Sequence, residues 1–121
     1  MSKALRRLLR RKVDEVNVFD NLREEVRSFA ESRDWLQFHT PKNLAMALVG
    51  EAGKLAAEFQ WLTPEESFMN VADADARLAV QNEMADVLIY LLRLSDVLGV
   101  DLATAVREKL AVNESRFPIL H

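Results

Sequence analysis

The chain has 121 residues, half of them hydrophobic, with 16 basic and 19 acidic side chains and a formal net charge of -3. That length carries one domain with its own core, and the mildly acidic balance gives no sign of a general nucleic-acid binder. The absence of cysteine removes disulfides, thiolate catalysis and thiolate zinc sites, fits a reducing cytoplasmic setting, and accompanies a lack of any apolar run near the ~20 residues of a membrane span.

Only three glycines and three prolines occur among abundant Ala, Leu, Val, Glu and Arg, a composition that favours stacked helices. The opening "MSKALRRLLRRK" is basic but lacks the long apolar region and cleavage site of a secretory signal. Residues 1–12 read as a basic extension of the first helix, either a solvated turn or a partner- or membrane-surface-binding segment. Residues 13–121 read as one helical domain. The first helix is expected from Val13 to Arg33, with Val16, Phe19, Leu22, Val26, Phe29 and Ala30 spaced three and four apart. An aromatic-rich link, "DWLQFH", follows. In "HTPKN", Thr40 can cap a second helix that Pro41 starts, running to about Leu62. Thr63 and Pro64 repeat the device for a short helix, with Glu65 and Glu66 at its positive end. "NVADADARL" reads as a surface loop, Ala76 to Leu98 as a long helix stopped by Gly99, and Asp101 as the cap of a last helix ending near "SRFP". The expected fold is all-α, a bundle of four main helices.

Two of these helices carry acids where apolar residues belong. Leu44, Leu48, Leu55 and Leu62 form one stripe, and Glu51 and Glu58 occupy its missing steps. On the long helix the expected core stripe is Val80, Met84, Val87, Leu91, Leu94 and Leu98, with Glu83, Asp86 and Tyr90 in a line beside it. "VLIYLL" is apolar all round and implies a deeply packed segment. A carboxylate on a buried face must meet a cation, a metal or water. Inward acids from two helices can cage a hard cation such as Mg²⁺, which takes one or two carboxylates together with waters and phosphate oxygens. Ordinary ion pairs with Arg77, Arg93 or Lys54 would settle the same charges.

Three blocks then become recognisable: "RDWLQFHTPKNLAMALVGEAGKLAAEFQW", "NEMADVLIYLLRLSDVLGVDL" and "VREKLAVNESRFP". In this order and spacing the chain resembles the MazG-like all-α NTP pyrophosphohydrolases, best the dCTP pyrophosphatase branch, over roughly Phe29 to Pro118. The resemblance implies hydrolysis of a nucleoside triphosphate to the monophosphate and pyrophosphate, with Mg²⁺ held by an E-x-x-E pair and an E-x-x-D pair. By position Glu51 is the first acid, and Glu83 and Asp86 form the second pair. Trp35 and Trp61 would flank the base with His39 close by, and Tyr90, Lys109, Asn113 and Arg116 match positions that hold substrate. A homodimer or homotetramer with sites across subunits is implied too, with a nucleotide-pool house-cleaning role and with neither nucleic acid nor membrane as partner. Without the resemblance, the two Trp residues read as core or interface aromatics, and Lys109 and Arg116 as cations favoured at a helix C-terminus.

Lys54 departs from the family's pattern, which has glutamate there. A charged amine has no lone pair and cannot ligate Mg²⁺. Lys54 is three residues after Glu51 and four before Glu58, so it can pair with either. Three accounts stay open: a crippled site, a lysine that holds phosphate directly, or Glu58 standing in as a ligand, although two turns from Glu51 is about 10 Å of rise. A nucleotide-binding bundle without catalysis, and an oligomerising protein-interaction module, are the alternatives to an enzyme.

Overall fold

The computed structural model describes residues 2–120, with the backbone alone over 10–17. Five α-helices and one 3₁₀ turn follow in order: α1 (Lys3–Glu31), the 3₁₀ turn Leu36–Phe38, α2 (Pro41–Ala57), α3 (Pro64–Asn70), α4 (Ala74–Leu98) and α5 (Leu102–Arg116). Among the described residues no strand occurs, and no helix is long and apolar enough to cross a membrane. α4 is the central element. α2 packs on it most extensively, α1 packs on it next, and α5 makes a small contact with α1.

The ends of the helices follow from short-range chemistry. Ser2, Thr40, Thr63, Asp73 and Asp101 each accept a hydrogen bond from a backbone N–H three residues on, satisfying one orphan donor of the first turn. At Thr63 the bond is reciprocal: Glu66 accepts from the Thr63 N–H, and both bonds hold the Glu66 carboxyl below its usual range. Pro41 and Pro64 begin α2 and α3 without losing a bond. Gly99 ends α4 at φ 68°, a left-handed conformation that costs a residue with a Cβ roughly 1–2 kcal/mol. A Cβ there would touch nothing within 4 Å, so Gly99→Ala should cost about 1 kcal/mol in denaturant unfolding, from backbone strain alone.

Several boundaries differ from the sequence expectation. α1 begins at Lys3, α4 begins at Ala74 under its Asp73 cap, and α2 stops at Ala57 rather than near Leu62. Past Ala57 the N–H groups of Glu58, Phe59 and Leu62 turn to carbonyls three residues back, and Pro64 then bars helical geometry at the residue before it.

The core is narrow. Among the described residues Ala30, Leu44, Val80 and Leu92 are the buried apolar ones, with Arg93 and Ser95 buried among them. Leu48, Leu55 and Leu62 are half-buried, as the α2 stripe requires. The α4 stripe is corrected: Met84 and Leu98 are 58 and 54% exposed, and the buried line passes instead through Val80, Leu92, Arg93 and Ser95. α1 and α2 cover that face, and Met84, Leu88, Ile89 and Leu98 stay substantially exposed. A compact 13.8 kDa chain exposes roughly 6,600 Å², whereas this one exposes 9715 Å², much of it from apolar side chains of α1, α4 and α5.

Candidate active site

The site begins with the α2–α4 contact, which brings Glu51 against Glu83 and Asp86. One oxygen from each of the three carboxylates lies within 4.8 Å of the others. Oε2 of Glu51 and Oε2 of Glu83 are buried and meet no donor. Burial foremost, then a proton shared with Glu51 and then the Glu51 charge, push the Glu83 carboxyl above its usual range. Lys54 works against this, its Nζ standing 3.4 Å from Oε1 of Glu51 with the amine side chain largely in solvent. Of the cations the sequence offers as partners for these acids, Lys54 reaches the cluster, whereas Arg93 is committed elsewhere. Glu58 stands at the C-cap of α2 and is not part of the cluster.

Three converging carboxylates with two buried, donorless oxygens suit a hard divalent cation, whose ligands are oxygens, better than any partner the protein itself supplies. The residues present therefore fit Mg²⁺, with one oxygen donor fewer than an E-x-x-E helix would bring.

Asp86 also lines a cleft of about 260 Å³ with Trp35, His39, Tyr90, Arg93 and the apolar Val26, Phe29, Ala30 and Ile89. This is just under the ~300 Å³ of the smaller drug-sized sites, room for one ring system beside the carboxylates. Its outer wall is the link between α1 and α2. Asp34 turns the chain at φ 59°, a region that Asp tolerates, and the Trp35 N–H returns to the Ala30 carbonyl at 3.0 Å. Asn43 Nδ2 donates to the Phe38 carbonyl at 2.9 Å, tying the far end of the link to α2. Trp35 meets Phe29 edge to face at 5.7 Å, and the Arg33 guanidinium lies 3.5 Å over the Phe29 ring.

Behind the cleft lies a network that sequence reasoning missed. Arg93 Nε donates to His39 Nδ1 at 2.9 Å and Arg93 Nη1 to Asp96 Oδ2 at 2.5 Å. Arg27 grips both Asp96 oxygens, and Arg23 Nε stands 3.8 Å from one of them. The Arg27 hydrogen bond holds the Asp96 carboxyl below its usual range. The available signal was a basic and an acidic residue three apart inside the apolar "LLRLSD".

Burial and then the Arg93 charge push His39 below the usual imidazole range. Just below about pH 6.5 the unfolded chain therefore binds a proton that the folded chain does not. Stability should accordingly fall as pH drops through that window. Chemical denaturation of the wild type and of His39→Gln between pH 7.5 and 5.5 should show a shallower fall in the variant, the difference isolating His39 from Glu83, whose raised pKa acts with the opposite sign.

One chain thus unites Glu51, Glu83 and Asp86, and it unites Trp35, His39 and Tyr90 with Asp86. It does not bring Trp61, Lys109, Asn113 or Arg116 to this cleft. Trp61 is 87% exposed in the turn after α2, and the other three lie on α5.

Residues 51–121 match the MazG-like family. The chain is 46% identical over 99 residues to dCTP pyrophosphatase 1 of Homo sapiens, covering 82% of this chain and 58% of that protein. It is 44% identical over 100 residues to dCTP pyrophosphatase 1 of Rattus norvegicus, covering 83% and 59%. The chain therefore spans under two thirds of the length of these curated relatives. A crystal structure of a pyrophosphatase from Archaeoglobus fulgidus superposes with a TM-score of 0.78 at 40% identity, over 83% of this chain and 92% of that one.

Proposed function

Because the chain belongs to the MazG-like family, we propose that it is a nucleoside triphosphate pyrophosphohydrolase, with dCTP or a modified dCTP as substrate. The observation that carries this reading is the sharing of Asp86 between the carboxylate cluster and an aromatic cleft sized for one ring system. The names of its relatives support the same reaction: (d)NTP and water to the monophosphate and pyrophosphate.

Glu51, Glu83 and Asp86 would hold Mg²⁺, which when bound neutralises phosphoryl charge and acidifies the attacking water. The remaining work falls to the chain. Trp35 and Tyr90 offer faces and edges to a flat base. The donorless Oε2 of Glu51 can orient a water towards the α-phosphorus and accept its proton. The leaving pyrophosphate needs positive charge, and Lys109 and Arg116 are the family-matched candidates, with Asn113 beside them on α5. Since these and Trp61 lie outside the cleft of a single chain, we place them as contributions of a second copy in a homodimer or homotetramer. The uncovered apolar surface of α1, α4 and α5 supports that assembly, the helices then packing as a bundle. A nucleotide-pool house-cleaning role in the cytoplasm follows as part of this reading.

Lys54 favours a second reading, a nucleotide-binding bundle that kept the pocket and weakened its metal site, because its amine already pairs with Glu51. Pyrophosphate release from a panel of dNTPs and NTPs with Mg²⁺, run on the wild type and on Lys54→Glu, separates the readings. Turnover only by the variant supports the weakened site, and silence from both sinks the enzyme. Burial raises the Glu83 carboxyl above its usual range, so a proton competes with Mg²⁺ there increasingly as pH falls. The rise in melting temperature on adding MgCl₂ should therefore shrink as pH is lowered, and be smaller in Glu83→Gln throughout.

A further inference from the structure

Arg93 is one of two buried polar residues among the described residues, 6% exposed within α4, and its guanidinium is divided between two tasks. Nη1 serves Asp96, whose oxygens are also held by Arg27 from α1. Nε serves His39, 54 residues away on the link that walls the cleft. A guanidinium N–H is only ever a donor, so the ring nitrogen that receives it must carry a lone pair. His39 Nδ1 is therefore unprotonated, and the neutral ring carries its proton on Nε2. Among the described residues Nε2 has no protein acceptor.

We infer that Arg93 is a positioning residue that locks His39 in the Nε2–H tautomer, so that the cleft presents a neutral donor to the acceptor edge of a nucleobase. The specificity half of this inference rests on reading the cleft as the base pocket; the tautomer half stands without it. The rotamer is held as firmly as the proton. Arg93 is gripped on one side by Asp96, and Asp96 is clamped by the two nitrogens of Arg27, so the guanidinium plane is set by α1 and α4 together. A neutral ring next to a guanidinium is a poor binder of phosphate, which separates His39 from the phosphate end of the site. A base that offers a ring nitrogen or carbonyl oxygen satisfies Nε2–H, and a base edge that offers a hydrogen leaves two donors facing each other in a desolvated cleft.

The test uses the full chain labelled with ¹⁵N. It contains two histidines, His39 and His121, and His39→Gln assigns the signals. Long-range ¹H–¹⁵N spectra at pH 7.5 should show His39 in the single Nε2–H pattern. In Arg93→Lys, which keeps the charge for Asp96 but lacks the Nε donor, the pattern should shift towards mixed tautomers. Arg93→Met is the second variant should the lysine misplace the helix, and an unchanged far-ultraviolet spectrum certifies either. A wild-type ring that is protonated on Nδ1 or cationic, or an unaltered pattern in a folded Arg93 variant, overturns the inference. Binding of dCTP with Mg²⁺, followed by tryptophan fluorescence, should weaken about tenfold in Arg93→Lys and at least tenfold more in His39→Asn than in His39→Gln, whose terminal amide can replace Nε2–H. A released tautomer with undiminished dCTP affinity overturns the specificity half. Failure of the wild type to bind any nucleotide, with the tautomer locked as stated, overturns the base-pocket reading instead.

Discussion

Lys54→Glu is expected to raise Mg²⁺-dependent pyrophosphate release from dCTP on the order of 100-fold or more. The substitution removes an amine 3.4 Å from Glu51 Oε1 and adds a carboxylate one helical turn on, on the same side of α2. Metal activation supplies several kcal/mol of transition-state stabilisation, and each ~1.4 kcal/mol is tenfold in rate, so restoring a missing ligand reaches two or more decades. Glu83→Gln or Glu51→Gln placed on top of Lys54→Glu should return the rate to background, since Oε2 of both is buried without another use. Equal turnover by the wild type and Lys54→Glu would mean that the lysine belongs to a working site, holding phosphate itself. Steady-state rates over a Mg²⁺ titration distinguish a change in metal affinity from a change in the chemical step.

Asp96→Ala should be the most destabilising single truncation among the charged residues. Its side chain is 11% exposed and holds Arg93, whose side chain is 8% exposed, together with Arg27 from another helix. Removing one member of a buried pair leaves the other uncompensated, at a cost of about 3–5 kcal/mol. At this chain length that corresponds to a fall in melting temperature of roughly 10–20 °C, measured at fixed protein concentration because assembly shifts the apparent value. Asp20→Ala is the contrasting control: its partner Arg23 is three residues on, Asp20 is 52% exposed, and the loss should stay under ~0.5 kcal/mol. A loss below about 1 kcal/mol in Asp96→Ala would mean that Arg93 finds water or another acceptor when the carboxylate is gone. The lowered Asp96 pKa gives the same contact a pH signature: its contribution is present above the usual carboxylate value of about 3.9 and disappears as pH falls through the lower folded value.

The short-range features were legible because each is decided within about four residues. Thr40 before Pro41, Thr63 before Pro64, Gly99 and Asp101 mark caps by the local supply of a side-chain oxygen or a left-handed backbone, and the helices start or stop there. The same holds for Glu83 and Asp86, whose three-residue spacing puts them on one face of α4, and for Glu51 on the apolar stripe of α2. The end of α2 at Ala57 was not legible, because the apolar pattern continues to Leu62 while the backbone tightens into turns ahead of Pro64. Nor was the buried face of α4. "VLIYLL" is apolar on every side, so periodicity cannot say which side α1 and α2 cover, and Met84 and Leu98 turned out exposed where Arg93 turned out buried.

What the sequence by itself determined is the helical composition and the caps, consequences of local geometry; the misfit of carboxylates on apolar helices marked Glu51, Glu58, Glu83 and Asp86 alike, and the family resemblance selected three of them. What only the tertiary structure decided is who meets whom. Asp96 takes Arg27 from 69 residues away, Arg93 takes His39 from 54 away, and Asp86 serves the carboxylate cluster and the cleft at once. The reason is physical. A buried charge must be paired, but any of several arginines could pair it, and the packing of α1 and α2 against α4 selects which one arrives.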